Sequence, residues 1–564
     1  MATFSPTRIP IVATIKGYRR SYLRPDLVAG LVLATMLIPQ GMAYAELTGL
    51  PAITGIYTTI AALVGYALIG PNRQLILGPD SSLAPVIAAV ILPLSLGNAG
   101  EAVVLASAMS ILAGAVCIAA GWLRLGVITE LLSKPVRVGY LNGIAIVVLI
   151  SQFPKALGFS VDADSTIGTL VATGEAVLEG ESVWQAVALS TISILVIVLL
   201  RRLTPLIPGV VIATVGSIGA AVIWDLEAVG VSLVGDIPAG LPPFSIPAFD
   251  LETLPALLGG AALVALVSFA DTGALSTATA LQSGQRVDPN DEIRALGVAN
   301  LLSGVFQGFP TSASSSRTAV AMSVGAKTQV TGLVAAVGVI AAMFVIPDAI
   351  SNLPTATLAA IVITASLGLF DWDQTVWLAK ARTSEFVMLV GAFAGVVVLG
   401  VLEGIAVAVV LSLANFVRKA WRPHSTELGR IKGVAGFHDI ERHPDAELVD
   451  GLLVLRFDAP LFFANAPTFA RRLQGLLSDS ERPIDQVLVV ANAMSDIDTS
   501  GAEILNDLLD DLDAREVGLW FAGLKGPVKD RLVDYGLYQR LGDDAFWPNT
   551  LSAVAAHEAA TREA

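Results

Sequence analysis

Fourteen apolar runs, most of them long enough to cross a bilayer, leave this chain few folds to choose from. With soft boundaries they lie at about residues 27–46, 51–70, 79–95, 101–121, 127–152, 184–200, 206–224, 255–282, 292–307, 314–325, 329–348, 355–370, 385–401 and 403–420. A spanning helix needs about 20 apolar residues. Inside hydrocarbon every backbone polar group must find its partner within the protein, which selects helices for runs of this kind. Composition agrees: 54% of the 564 residues are hydrophobic and 15% charged, against about 25% charged in a soluble chain. Mean hydropathy is +0.72. The 51 glycines and 29 prolines carry no loop signal, because both are common in membrane helices. The expected fold is an α-helical polytopic membrane protein with a small α/β domain after it.

Lys and Arg set the orientation, since cytoplasmic loops are enriched in them. Lys16, Arg19, Arg20 and Arg24 precede the first run, and no small-residue cleavage pattern follows it, so residues 1–26 read as a retained cytoplasmic segment rather than a signal peptide. Every second junction is then basic: Arg73; Arg124, Lys134 and Arg137; Arg201 and Arg202; Arg286 and Arg294; Lys327; Lys380 and Arg382; Arg418, Lys419 and Arg422. The alternate loops are poor in both residues, Lys155 being the main exception. Both termini are expected on the cytoplasmic side of the cell inner (plasma) membrane. Of the net charge of −14, roughly −10 comes from Arg430 onward, where 13 basic and 23 acidic residues make an acidic, solvated tail. Nothing in that pattern suggests nucleic-acid binding. Cys117 is the only cysteine, and His424, His438, His443 and His557 all lie outside the apolar region. Disulfides within the chain, cysteine metal sites and intramembrane histidine sites are therefore excluded, and no cofactor is expected. The absence of a GxxxxGK[ST] loop argues against an ATP-driven pump.

The two short runs are the informative ones. Gly78-Pro79-Asp80-Ser81-Ser82 opens the third, and Gly308-Phe309-Pro310-Thr311-Ser312-Ala313-Ser314-Ser315-Ser316-Arg317 opens the tenth. Each follows a short extended-looking stretch. Seven passes apart, the second copy is inverted relative to the first, as in transporters whose sites lie at interrupted helices of two repeats. The first N–H groups of a half-helix lack intrahelical partners and carry the positive end of the helix dipole. Two such ends facing each other make an anion cradle. Ser81, Ser82, Ser315 and Ser316 offer hydroxyl donors, with Ser314 beside them, and Arg317 offers positive charge. Small polar residues also serve helix packing, and Arg317 as a snorkelling or pore-lining charge stays open.

Three further polar positions fall in other runs. Gln40 follows Pro39, which removes a backbone donor, and is either a substrate-facing donor or a packing hydrogen bond. Glu46 is expected near the outer rim. Asp271, in ALVSFADTGALSTAT, has no basic neighbour in sequence. An intramembrane carboxylate is a functional candidate by default. It suits a coupling ion, H+ or Na+, or alternatively an ion pair with Arg317.

The stretches IPQGMAYAELTGLP, GIYTTIAALVGYALIG, LGPDSS and GFPTSASSSRTAV resemble the sulfate permease family, called SulP in bacteria, over almost the whole chain. The resemblance implies fourteen segments as two inverted seven-segment repeats, about 27–224 and 255–422, folded into core and gate subdomains within a transport domain of 27–422. It places the substrate between the third and tenth half-helices, with Ser316-Arg317 and Gln40 facing it and Asp271 linked to coupling. After Arg422, strand-like runs at 451–466, 486–493 and 518–524 alternate with helical periodicity. Residues 430–564 resemble the STAS domain, and Asp498-Thr499-Ser500-Gly501 resembles the loop that carries a phosphorylatable residue, here Thr499. Capping of a helix by Asp498 or Thr499 is the simpler alternative.

The expected activity is secondary active transport of an inorganic anion, sulfate before bicarbonate, chloride or a dicarboxylate, coupled to H+ or Na+, by a homodimer embedded in membrane lipid. A passive anion channel and a signalling platform built on the tail are the other classes. No enzyme chemistry is visible.

Overall fold

In the computed structural model, the described residues are 10, 14, 16–126, 133–161, 163, 165–203, 208–235, 238, 240–248 and 250–563. Half of the expected N-terminal segment 1–26 and the starts of the fifth and seventh runs lie outside them. The chain divides into two compact units, Met1–Ser412 and Leu413–Ala564.

Among the described residues, eight helices are long and apolar enough to cross a membrane and four shorter ones are apolar. Two more complete the set of fourteen: α1 Arg20–Leu47, α2 Ala52–Ile69, α3 Ala84–Ser95, α4 Ala99–Trp122, α5 Lys134–Leu157, α6 Trp184–Leu203, α7 Gly209–Ile223, α8 Leu254–Gln282, α9 Pro289–Val305, α10 Ser315–Val324, α11 Val330–Val345, α12 Thr355–Leu369, α13 Thr383–Ala394 and α14 Val401–Trp421. Each coincides with one of the apolar runs. Pro39 removes one ladder bond but does not end α1. A π-helical turn, Gly395–Leu399, extends α13.

Packing obeys the expected twofold repeat. If segment n matches n+7, the main pairings should have counterparts, and three of them do. The pair α1 with α11 is matched by α8 with α4. Likewise α4 with α9 is matched by α11 with α2, and α5 with α13 by α12 with α6. One group therefore gathers α1–α4 and α8–α11, and the other is built around α5, α6, α12 and α13. The α1–α2 crossing depends on glycine from both helices: a Cβ on Gly55 would stand 1.9 Å from the Gly41 carbonyl oxygen. Asp26 at the start of α1 closes the first group. It accepts bonds from Lys327 N (2.7 Å), Thr328 Oγ1 (2.7 Å) and Thr331 Oγ1 (3.0 Å), fixing the α10–α11 turn.

The C-terminal unit holds a six-stranded sheet in the order β4-β3-β5-β6-β7-β8. Its strands are β3 Ser425–Arg430, β4 Phe437–Asp439, β5 Gly451–Phe457, β6 Ile484–Val490, β7 Gly518–Ala522 and β8 Phe546–Trp547. Strands β5 to β8 run parallel, and β3 is antiparallel to both of its neighbours. Helices α15 Ala466–Asp479 and α16 Thr499–Ala514 bury Phe469, Leu473, Leu505 and Leu509 against Phe457 and Val489. The three strands and two helices read from the sequence are present. Strands β3, β4 and β8 had no apolar run to announce them. Thr426 Oγ1 donates to Asp439 Oδ1 (2.7 Å), and that bond, aided by Glu441 N and His424, holds the Asp439 carboxyl below its ordinary range.

Candidate functional site

Two residues from each repeat build the frame. Strand β1, Leu77–Gly78, pairs antiparallel with β2, Ser312–Ala313, in the register Leu77↔Ala313 and Gly78↔Ser312. Ser314 N donates to Ile76 O (3.1 Å), and Thr318 Oγ1 accepts from Ile76 N (3.1 Å). Pairing stops at one end because α10 begins at Ser315 and at the other because Pro79 has no N–H to donate. Thr272 of α8 braces the frame: its Oγ1 accepts from Ala313 N (3.2 Å) and lies 3.3 Å from Ser312 Oγ. The two broken segments thus meet head to head, as expected for segments three and ten.

The two ends are not equivalent, which the sequence reading missed. Asp80 caps the turn leading into α3: its Oδ1 accepts from Ser82 N (3.0 Å) and Ser82 Oγ (2.7 Å). A carboxylate therefore already occupies the positive end of that half-helix. Ser314, the N-cap of α10, makes no side-chain capping bond, so the dipole and first-turn N–H groups of α10 remain available to a ligand.

Arg317 is the third residue of α10, in its first turn, with its side chain 1% exposed. Its Nη2 donates to Pro79 O (2.5 Å) and stands 3.7 Å from Asp80 Oδ2. Among the described residues its Nε and Nη1 have no hydrogen-bond partner. An unsatisfied buried charged donor is costly, and a bound anion is the chemistry that satisfies it. Gly78 permits this placement, since a Cβ there would lie 2.6 Å from Arg317 Nη1. The ion pair weighed between Arg317 and Asp271 is instead one with Asp80. The sequence signal for Asp80 was its position two residues before Ser82 at a helix start, where Asp commonly caps.

Asp271, half-buried on α8, reaches the site through Ser82, whose Oγ is 3.3 Å from Asp271 Oδ2. Ser81 is buried and lies near Tyr44, one turn beyond Gln40 on α1. Gln40 is buried. Ser315 and Ser316 are exposed, and Ser316 Oγ lies 3.2 Å from Ser314 Oγ. The structure thus joins Arg317 to Asp80, Asp80 to Ser82 and Ser82 to Asp271 in one chain of contacts. Among the described residues no side-chain hydrogen bond links Gln40, Ser315 or Ser316 to that cluster. A separate cleft of about 500 Å³ is lined by Lys134, Arg137, Asp371, Asp373 and Gln374 and by none of the site's residues; its Arg137 stands within electrostatic range of Asp271. No group of three or more His, Cys, Asp or Glu among the described residues is placed to hold a metal ion.

In the C-terminal unit, Asp498 is the cap of α16, accepting from Gly501 N (2.7 Å) and Phe463 N (2.9 Å). Thr499 is the first helical residue and is exposed.

A family model described as the Sulfate permease family matches residues 23–392, and one described as the STAS domain matches 443–552. A probable sulfate transporter of Mycobacterium tuberculosis (strain CDC 1551 / Oshkosh) is 37% identical over 97% of both chains. The structure of the murine solute carrier 26 family member A9 anion transporter in the inward-facing state is similar, with a TM-score of 0.91 at 20% identity, covering 99% of this chain and 96% of that one. The transmembrane domain of a cyanobacterium bicarbonate transporter, BicA, shares the fold at a TM-score of 0.60 and 22% identity, covering 70% of this chain and 98% of that one.

Proposed function

The chain belongs to the sulfate permease family and ends in a STAS domain, and on that footing we propose that it is a secondary active transporter of an inorganic anion, sulfate first, driven by protons. The observation that carries this reading is Arg317, a buried guanidinium with two unpartnered nitrogens at the uncapped start of a half-helix. An oxyanion offers several acceptors to those donors and to the α10 dipole at once. The naming of the mycobacterial relative as a probable sulfate transporter supports sulfate as the first candidate. Asp271, joined to the site through Ser82, is the proposed proton carrier, with Na+ as the competing coupling ion. Gln40, Ser81, Ser82, Ser315, Ser316 and Arg317 are the proposed substrate-facing residues. We place both termini and the STAS domain in the cytoplasm, the transport domain at 27–422 in the inner membrane, and the protein as a homodimer. Thr499 remains the candidate for phosphorylation. The family is one of transporters rather than enzymes.

Purified protein in liposomes tests the reading. Labelled sulfate should accumulate against its gradient after an imposed inward proton gradient. Accumulation that follows sodium instead would replace the coupling ion. Displacement by bicarbonate, chloride or a dicarboxylate with no sulfate uptake would replace the substrate. A current set by voltage alone would make the protein a channel.

A further inference from the structure

The Ser82 hydroxyl stands between two carboxylates, 2.7 Å from Asp80 Oδ1 and 3.3 Å from Asp271 Oδ2. A serine has one hydroxyl proton and ionised carboxylates have none. If Ser82 donates to Asp80, the nearer partner, its contact with Asp271 is oxygen to oxygen with no hydrogen between. That contact becomes a hydrogen bond when Asp271 carries a proton and donates it to Ser82. We infer that Ser82 is a proton relay between Asp271 and Asp80, and that proton arrival on Asp80 releases Arg317 to the anion. This rests on the proton-coupled reading above.

The step balances. The Asp271 carboxylic acid O–H breaks as its proton passes to Ser82 Oγ. The Ser82 O–H breaks as its own proton passes to Asp80 Oδ1, where a new O–H forms. Ser82 ends with one proton, Asp271 as carboxylate and Asp80 as the neutral acid. While ionised, Asp80 competes with any anion in two ways. Its Oδ2 is 3.7 Å from Arg317 Nη2, and its Oδ1 occupies the N-terminal turn of the other half-helix. Neutralising it withdraws a negative charge from both cationic elements of the cradle, so anion binding and proton uptake become one event. The remaining charged and titratable neighbours are accounted for. Arg137 and Tyr140 of α5 lie within electrostatic range of Asp271, where Arg137 stabilises the carboxylate that the transfer leaves behind. Tyr44 of α1 stands within range of Asp80 and Arg317. Farther along, Glu292 of α9 is held by Tyr66 (2.7 Å) and Ser276 of α8 (2.6 Å), apart from the relay.

The test is equilibrium binding of labelled sulfate to the purified full chain as a function of pH. One proton bound per anion makes the wild-type Kd rise by about tenfold per pH unit above the titration. A relay sets the rate of proton transfer and leaves the equilibrium alone, so Ser82→Ala should keep this slope but slow proton-driven sulfate uptake into proteoliposomes by about tenfold or more, and Ser82→Thr should restore the rate. Asp80→Asn, neutral at every pH, should give tight binding with a flat profile. A Ser82→Ala protein that takes up sulfate at the wild-type rate overturns the relay and leaves proton coupling standing, whereas a flat wild-type profile overturns the coupling reading itself. Infrared pH-difference spectra of the anion-free protein test the same bond without sulfate. The carboxylic acid band should vanish in Asp271→Asn and shift in Ser82→Ala, and a band that Ser82→Ala leaves in place overturns the inference.

Discussion

Replacing Gly78 by alanine isolates the contribution of Arg317 geometry without removing its charge. The Gly78 backbone does not have the positive φ that would strain alanine, and β1–β2 pairing with Ser312 keeps it from yielding. The added Cβ would lie 2.6 Å from Arg317 Nη1, where ordinary contact begins at 3.4 Å. The difference is about 0.8 Å, and the end of the flexible side chain must retreat by roughly that amount, since the strand cannot. A shift of this size misaligns one charge-assisted hydrogen bond to the anion, a loss of about 1.5–3 kcal/mol. The sulfate Kd should therefore rise by about 10-fold to about 150-fold. Equilibrium binding of labelled sulfate to detergent-purified protein measures this, with the melting temperature as the control for folding. A Kd within about twofold of wild type, under 0.5 kcal/mol or so, in a protein that melts normally would show that Nη1 does not meet the anion.

Three other outcomes are expected. Asp271→Asn should abolish accumulation of sulfate driven by a proton gradient in proteoliposomes while the protein still folds, as read by size-exclusion profile and uptake under both gradients. Gly55→Ala, whose Cβ would stand 1.9 Å from Gly41 O, should overpack the α1–α2 crossing at a cost of about 1–3 kcal/mol, seen as a lower melting temperature. In the STAS domain, Asp439 is held below its ordinary range by Thr426. Its stabilisation is full above the unfolded-state pKa and is lost as pH falls through the lower folded-state value. Asp439→Asn or Thr426→Val should therefore flatten the acid side of that domain's pH–stability curve, measured by thermal melts followed through Trp520.

Segment count was legible because burial in lipid forces long apolar runs, and each of the fourteen helices sits in one. Glycine and proline at 78–79 and 308–310 marked the two interruptions, since neither residue sustains a regular helix start to finish. Arg317 stood out as a charge in an apolar setting. Asp80 did not, because in LGPDSS it reads as an ordinary capping residue, and only the fold brings Arg317, 237 positions later, within 3.7 Å of it. The same holds for Thr272 and Tyr44, whose partners come from other segments. The serines were legible as a group but not individually. Ser82 turns inward to two carboxylates, whereas Ser315 and Ser316 lie on the exposed side of α10. A run of identical residues on a helix cannot announce which member faces the neighbouring segment, because the sequence does not fix the helix's rotation about its axis.

The β1–β2 pairing has a consequence for how the two repeats can be separated. Leu77 and Gly78 belong to one half and Ser312 and Ala313 to the other, so each hydrogen-bonded rung is completed only in trans. Cut within 225–253, the chain yields two fragments, each holding an unmatched strand edge and half of the charge pair. Neither fragment alone can retain sulfate, but co-expression should let the exposed edges find each other and restore uptake by complementation.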